Sequence, residues 1–168
     1  MTQRTIRTKH FGEIEVPNNG EDLDYCDSHT LTLDGEERDV DLLLCDTPSE
    51  DRIRTIESLL DRIHELYQQG RKAIFDGRET DERVKYFIDS HIDELEDLHE
   101  LFDVPSNNNI TPELFVQKLE LRAVAMHRNN EDILECVLDF VLPDDYSSEI
   151  LVVCLDCQGE LLYIIQES

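Results

Sequence analysis

Apolar residues recur along this chain with two different periods, and the change from one to the other and back divides it into three. In the first part alternate positions are apolar. Arg4 to Lys9 alternates weakly, while Phe11-Gly12-Glu13-Ile14-Glu15-Val16 alternates clearly and predicts a strand that Pro17-Asn18-Asn19-Gly20 ends. His29–Leu33 and Arg38–Cys45 flank Asp34-Gly35, a hairpin signal because glycine accepts the positive φ of a tight turn. Val40, Leu42 and Leu44 point one way and Asp39 and Asp41 the other, as in an antiparallel strand with one buried face.

From Thr47 the spacing becomes helical. Thr47 is placed to cap, Pro48 suits a first helical position and Glu50 completes a capping box. Ile53, Ile56, Leu60, Ile63 and Tyr67 make the buried stripe, Gly70 interrupts or ends it, and Arg71–Phe75 adds a short turn before Gly77. A long second helix is predicted over Thr80–Asp103, capped by Thr80, with Asp81 and Glu82 in its positive first turn. Its apolar stripe is Val84, Ile88, His91, Leu95, Leu98 and Phe102. Pro105–Asn109 reads as a loop, and Thr111-Pro112-Glu113 starts a shorter helix through about Lys118.

Strand spacing then returns. Leu119, Leu121, Ala123 and Ala125 alternate with Glu120, Arg122, Val124 and Met126. Leu134, Cys136, Leu138 and Phe140 face away from Glu135, Val137 and Asp139, and Pro143-Asp144-Asp145 turns the chain. Ile150–Leu155 is apolar on both faces, so it is placed centrally, and Gln158-Gly159 turns it into Leu161–Ile165. Strands, helices and strands follow one another without βαβ alternation or an internal repeat. The prediction is one α+β domain over residues 1–168, with strands in 1–46, helices in 47–118 and strands in 119–168. Its antiparallel sheet comes from the N- and C-terminal strands, with the central helices packed on one face.

A chain of 168 residues buries roughly 70% of its unfolded surface, enough for a proper core. No apolar run of about 18 residues is present to span a bilayer. The opening MTQRTIRTKHFGE has basic residues but no apolar core, so it does not read as a secretory signal, and a cytoplasmic location is expected. Fifteen basic against forty acidic residues leave a formal net charge of −25. That field repels phosphate backbones and anionic lipid, which disfavours nucleic acid and membranes as partners and favours a basic protein surface. Plain solubility or salt adaptation accounts for the same charge, and Arg outnumbering Lys suits a saline habitat. The cysteines, Cys26, Cys45, Cys136, Cys154 and Cys157, are odd in number and irregular in spacing, so reduced thiols are expected.

Candidate chemistry concentrates on the second helix. Its solvent side carries Asp89, Asp93, Glu94, Glu96, Asp97, Glu100 and Asp103 with no Lys or Arg among them. Asp89, Asp93, Glu96, Asp97 and Glu100 are the candidate partner-binding surface. His91 interrupts the apolar stripe, where an imidazole can serve as base or metal ligand, but a packed histidine bonded to its neighbours is the simpler reading. Glu96-x-x-His99 and Asp61-x-x-His64 have the spacing of di-iron bundle pairs without the further inward carboxylates such a centre needs. His99-Glu100-Leu101-Phe102-Asp103 lacks the second histidine of a zincin helix.

Cys154-x-x-Cys157 has no second pair to complete a zinc site, even with Cys136 added, and it ends a strand rather than starting a helix. His91, His99, Cys154 and Cys157 therefore remain weak metal candidates, and no metal or cofactor is predicted. Asp27-Ser28-His29 cannot form a relay, because neighbours in a strand point to opposite faces. Phosphate-cradling and dinucleotide motifs are absent from the sequence. No catalytic residue is assigned.

His10-Phe11-Gly12-Glu13-Ile14, Tyr86-Phe87-Ile88-Asp89-Ser90-His91 and Gly159-Glu160-Leu161 closing towards Glu167-Ser168 together resemble an uncharacterised bacterial family, domain of unknown function two-thousand-and-four. The resemblance covers nearly the whole chain. It implies a small bacterial α+β protein with His91 at a family-like position, brings no activity with it, and leaves the cysteines outside its pattern. The leading expectation is an acidic protein-interaction module, of immunity or antitoxin type, that binds a basic protein partner. The alternatives are a metal- or His-dependent enzyme centred on the helical histidines, and a salt-adapted cytosolic scaffold. The oligomeric state is not set by the sequence.

Overall fold

Asp34 and Gly35 both adopt positive φ, 51° and 81°, the turn that matches strand twist, and they join β3 (Leu23–Leu33) to β4 (Glu36–Asp46). The computed structural model describes residues 4–18, 20–143 and 146–168. Asn19, in the first predicted break, and Asp144 and Asp145, in the predicted turn after Pro143, lie outside the described residues. After the helices come β5 (Glu120–Arg128), β6 (Leu134–Val141), β7 (Ile150–Leu155) and β8 (Leu161–Glu167). The main sheet has six strands in the order β3-β4-β5-β6-β7-β8. Every neighbouring pair is antiparallel except β4–β5, which is parallel. The helical block is therefore one long crossover between parallel neighbours, a connection the strands-helices-strands order did not suggest.

β1 (Arg4–Thr8) and β2 (Gly12–Val16) pair only with each other. The first strands thus stay out of the main sheet, because their apolar residues have another use: Ile6, Phe11, Ile14 and Val16 all enter the main core. Lys9 N–H bonds the Asp61 carboxylate at 3.0 Å, which ties the hairpin to the end of α1 (Glu50–Asp61).

Ser49, not Thr47, caps α1, accepting from Arg52 N–H at 3.3 Å, so Pro48 stands before the helix rather than inside it. The predicted stripe is buried as expected, but the helix breaks at Arg62 and not at Gly70. Gly70 lies inside α2 (Ile63–Gly77), where a Cβ would stand 2.7 Å from Leu138 Cδ1 and about 3 Å from the Phe140 ring. The glycine lets the helix touch the sheet, and helix continuity follows from that packing. α3 (Glu82–Glu94), α4 (Leu98–Leu101) and α5 (Pro112–Lys118) complete the block. Thr111 caps α5 with Pro112 in its first turn, as predicted.

In β5 the predicted alternation holds at Leu121 and then reverses. The β5–β6 register shifts between Leu121 and Ala123, so the extra residue turns Val124 and Met126 towards the helices and Ala123 and Ala125 away. Leu42, Val124, Leu138 and Val153 follow one another across the helix-covered face. The buried apolar side chains of the longer helices all join this main core. The opposite face keeps a small cluster of its own, Ile150, Val152 and Cys154 against Val137, Val141 and Ile165. No helix among the described residues is long and apolar enough to cross a membrane.

Candidate functional site

The predicted long helix is two helices with a corner between them. Asp81, rather than Thr80, caps α3 by accepting from Arg83 and Val84 N–H. At the other end Leu95 leaves the helix with ψ 103°, and Asn107 stitches the break. Its amide donates to the carbonyls of Ile92 at 3.0 Å and Leu95 at 2.6 Å, while its oxygen accepts from His99 N–H at 2.8 Å. One side chain therefore satisfies the last carbonyls of α3 and an orphan N–H of α4.

The five candidate carboxylates all face solvent but do not share one helical surface. Asp89 and Asp93 lie on α3, Glu96 and Asp97 in the break, and Glu100 on α4. Asp89 pairs with Lys85 at 2.6 Å. No Lys or Arg lies between Lys85 and Lys118, so the corner has no cation of its own. Elsewhere the cations are largely spoken for: among the described residues ten of the fifteen basic side chains form ion pairs.

His91 is buried, and both ring nitrogens are engaged. Nδ1 donates to the Phe87 carbonyl, and Nε2 accepts from the Ser147 hydroxyl at 2.8 Å. The ring packs between Phe87 and Phe115, with centroids 4.4 and 5.7 Å away. This is a core histidine with its polar atoms paired. His99 Nδ1 donates to Asn107 Oδ1 at 3.2 Å and belongs to the corner. The Asp61-x-x-His64 pair is divided, since Asp61 takes Lys9 N–H while His64 meets His10 edge-on at 4.5 Å. Burial first, and His64 second, hold His10 below the ordinary histidine range.

The two cysteines of the C-x-x-C string join different clusters. Cys154 belongs to the one on the helix-free face, and Cys157 packs against the main core, donating to the Leu134 carbonyl. Burial pushes the Cys154 thiol up to about 11 and Cys136 to about 12, so neither is a ready thiolate. Among the described residues no group of three or more His, Cys, Asp or Glu is placed to hold a metal.

Two buried carboxylates that the sequence reading passed over stand out by contrast. Asp46 accepts from Arg52 at 3.1 Å, Arg128 at 3.0 Å and Thr47 N–H at 2.8 Å. Glu135 is 4% exposed, and its partners among the described residues are neutral. Asn129 Nδ2 donates to one of its oxygens at 3.0 Å and the Tyr163 hydroxyl to the other at 2.9 Å. His127 stands opposite it on β5, yet no ion pair to Glu135 is formed among the described residues. Hydrogen bonding to Cys154, burial and Glu135 together raise the Tyr163 phenol far above its usual range, so it stays a donor. Strand alternation put Glu135 on the face away from Leu134, Cys136, Leu138 and Phe140, without its depth. The signal that could have found it is its neighbourhood in sequence, since Val137, Val141, Ile150, Val152 and Cys154 are apolar on that face and Asp139 is the other acid there.

Glu135 and Tyr163 line a surface cavity of about 410 Å³ with Asn129, Glu131, Ile133 and Leu162. A larger groove of about 730 Å³ runs between α2 and the β7–β8 turn. Of its charged groups, Lys72 is paired to Asp76 at 2.5 Å and Asp81 caps α3, while Glu160 is exposed. Comparison with protein-family models, with curated proteins and with solved structures finds no match for this chain.

Proposed function

We propose that this protein is an acidic interaction module that covers a basic protein surface, in a bacterial cytosol an immunity- or antitoxin-type partner of a cationic toxin. The observation that carries the reading is the cation-free corner between α3 and α4, held in shape by Asn107. Fixed carboxylates on a rigid support steer a basic partner and raise its association rate more than its affinity. The same charge discourages nucleic acid and anionic lipid. The family resemblance adds no activity to this, and both ring nitrogens of His91 are engaged within the chain.

The test uses a lysine-rich model protein as the basic probe, followed by stopped flow at several salt concentrations. Association is expected to slow steeply with salt. The variant Asp93→Asn, Glu96→Gln, Asp97→Asn, Glu100→Gln should lower the rate on the order of tenfold at low salt. A control variant neutralises Asp24, Glu37, Asp39 and Asp41, which are exposed on β3 and β4. If the control slows association as much, the acidity is general and the protein is a salt-adapted scaffold instead.

A further inference from the structure

We propose that the cavity between the β5–β6 turn and β8 is a socket for an arginine side chain of the protein partner, with Glu135 as its counter-ion. This deepens the reading above and rests on it for the basic character of the partner. A buried carboxylate without a cation is costly unless something else compensates it. Within this chain the comparison is direct, because Asp46, similarly buried, receives two guanidinium groups and Glu135 receives none among the described residues. An ionised carboxylate offers about four acceptor positions. Asn129 and Tyr163 take one on each oxygen, and the rest are available for a forked donor.

The walls suit the remainder of an arginine. Ile133 and Leu162 can flank the aliphatic stem, and the Tyr163 ring offers a face to a planar cation. Asn129 is itself fixed: its oxygen accepts from the N–H groups of Glu131 and Ile133 at 2.9 and 3.1 Å, so the turn holds its amide on Glu135. The site is thus organised before a ligand arrives. A protein fits better than a free amine, because the apolar rim of the cavity is broadly exposed. Ile133 is 44% exposed, Leu162 43% and Tyr163 38%. A small ligand in the socket would leave that rim in water, whereas a macromolecular partner covers it around a central charged anchor.

The probe is N-acetyl-arginine methylamide, with the citrulline analogue as its uncharged isostere. Both are titrated into the full chain while the NMR signals of Ile133, Leu162 and Tyr163 are followed. Saturable shifts with the arginine compound and none with citrulline are expected, and Glu135→Gln should weaken binding on the order of tenfold. Ile133→Lys supplies a check that does not disturb the buried network. It places a resident ammonium at the mouth and should abolish probe binding while the protein stays folded.

Equal shifts from citrulline, binding unchanged in Glu135→Gln, or arginine shifts confined to the α3–α4 corner would each overturn the socket. The two readings fail separately. Salt-dependent capture of the lysine-rich protein without arginine shifts at Ile133 removes the socket alone, and the reverse result removes the steering corner alone.

Discussion

Replacing Gly70 with valine is expected to lower stability by about 3 kcal/mol, the upper part of the range for overpacking a core. A Cβ at this position would lie 2.7 Å from Leu138 Cδ1, with Phe140 ring atoms at 3.2 and 3.3 Å behind it. Leu138 and Phe140 are fully buried, and Phe140 is stacked on Tyr67 with centroids 6.1 Å apart, so neither has room to retreat. Alanine separates the two forces involved. Its better helix propensity is worth up to about 1 kcal/mol, against which Leu138 must still move, and a net loss of about 1 kcal/mol is expected. Denaturant midpoints at constant slope read both values. A valine variant that unfolds at the wild-type midpoint would mean that α2 can lift from β6 without penalty.

Asp46→Ala is expected to cost about 3 kcal/mol, near the low end for breaking a buried ion pair. The Asp46 side chain is 1% exposed, but Arg52 and Arg128 are 28% and 21% exposed, so water softens the loss. The carboxylate binds the first turn of α1 through Arg52 and the end of β5 through Arg128. Removing it leaves both guanidinium groups to the exposed carboxylate of Asp132, 2.9 Å from Arg52 and 4.0 Å from Arg128. Arg128→Ala in that background should then cost less than it does alone, because its pairing with Asp46 is already lost and one of two crowded cations disappears. A double-mutant cycle measures that coupling. Strict additivity would show that Asp46 and Arg128 do not act together.

The elements that depend on local spacing were legible in the sequence. Val40, Leu42 and Leu44, the Asp34-Gly35 turn, the Thr111 cap and the apolar β7 are all where their patterns place them. The antiparallel character of the sheet and the placement of the helices follow from these. What escaped was set by tertiary contact. Gly70 reads locally as a break, and only its approach to Leu138 explains why the helix continues. The stripe from Val84 to Phe102 keeps its period across a corner, because Leu98 and Phe102 enter the same core from a second helix. Asn107, which makes that corner, sits in a run of asparagines with nothing to mark one of them. The acidic surface was therefore foreseen in residues but not in shape. Glu135 was hidden because alternation assigns a face and says nothing of how deeply that face is buried.

The parallel joint between β4 and β5 has a kinetic meaning. Every other neighbouring pair in the main sheet is joined by a short connection. β4 and β5 meet only after residues 47–119 have been looped back, and loop-closure entropy opposes that step before any contact rewards it. The β3–β4 ribbon and the β5–β8 meander can each zip from their own turns, leaving their joining as the late event. Pulse-labelled hydrogen exchange during refolding reports that order directly, with amides at the β4–β5 seam protected after those within β6 and β7.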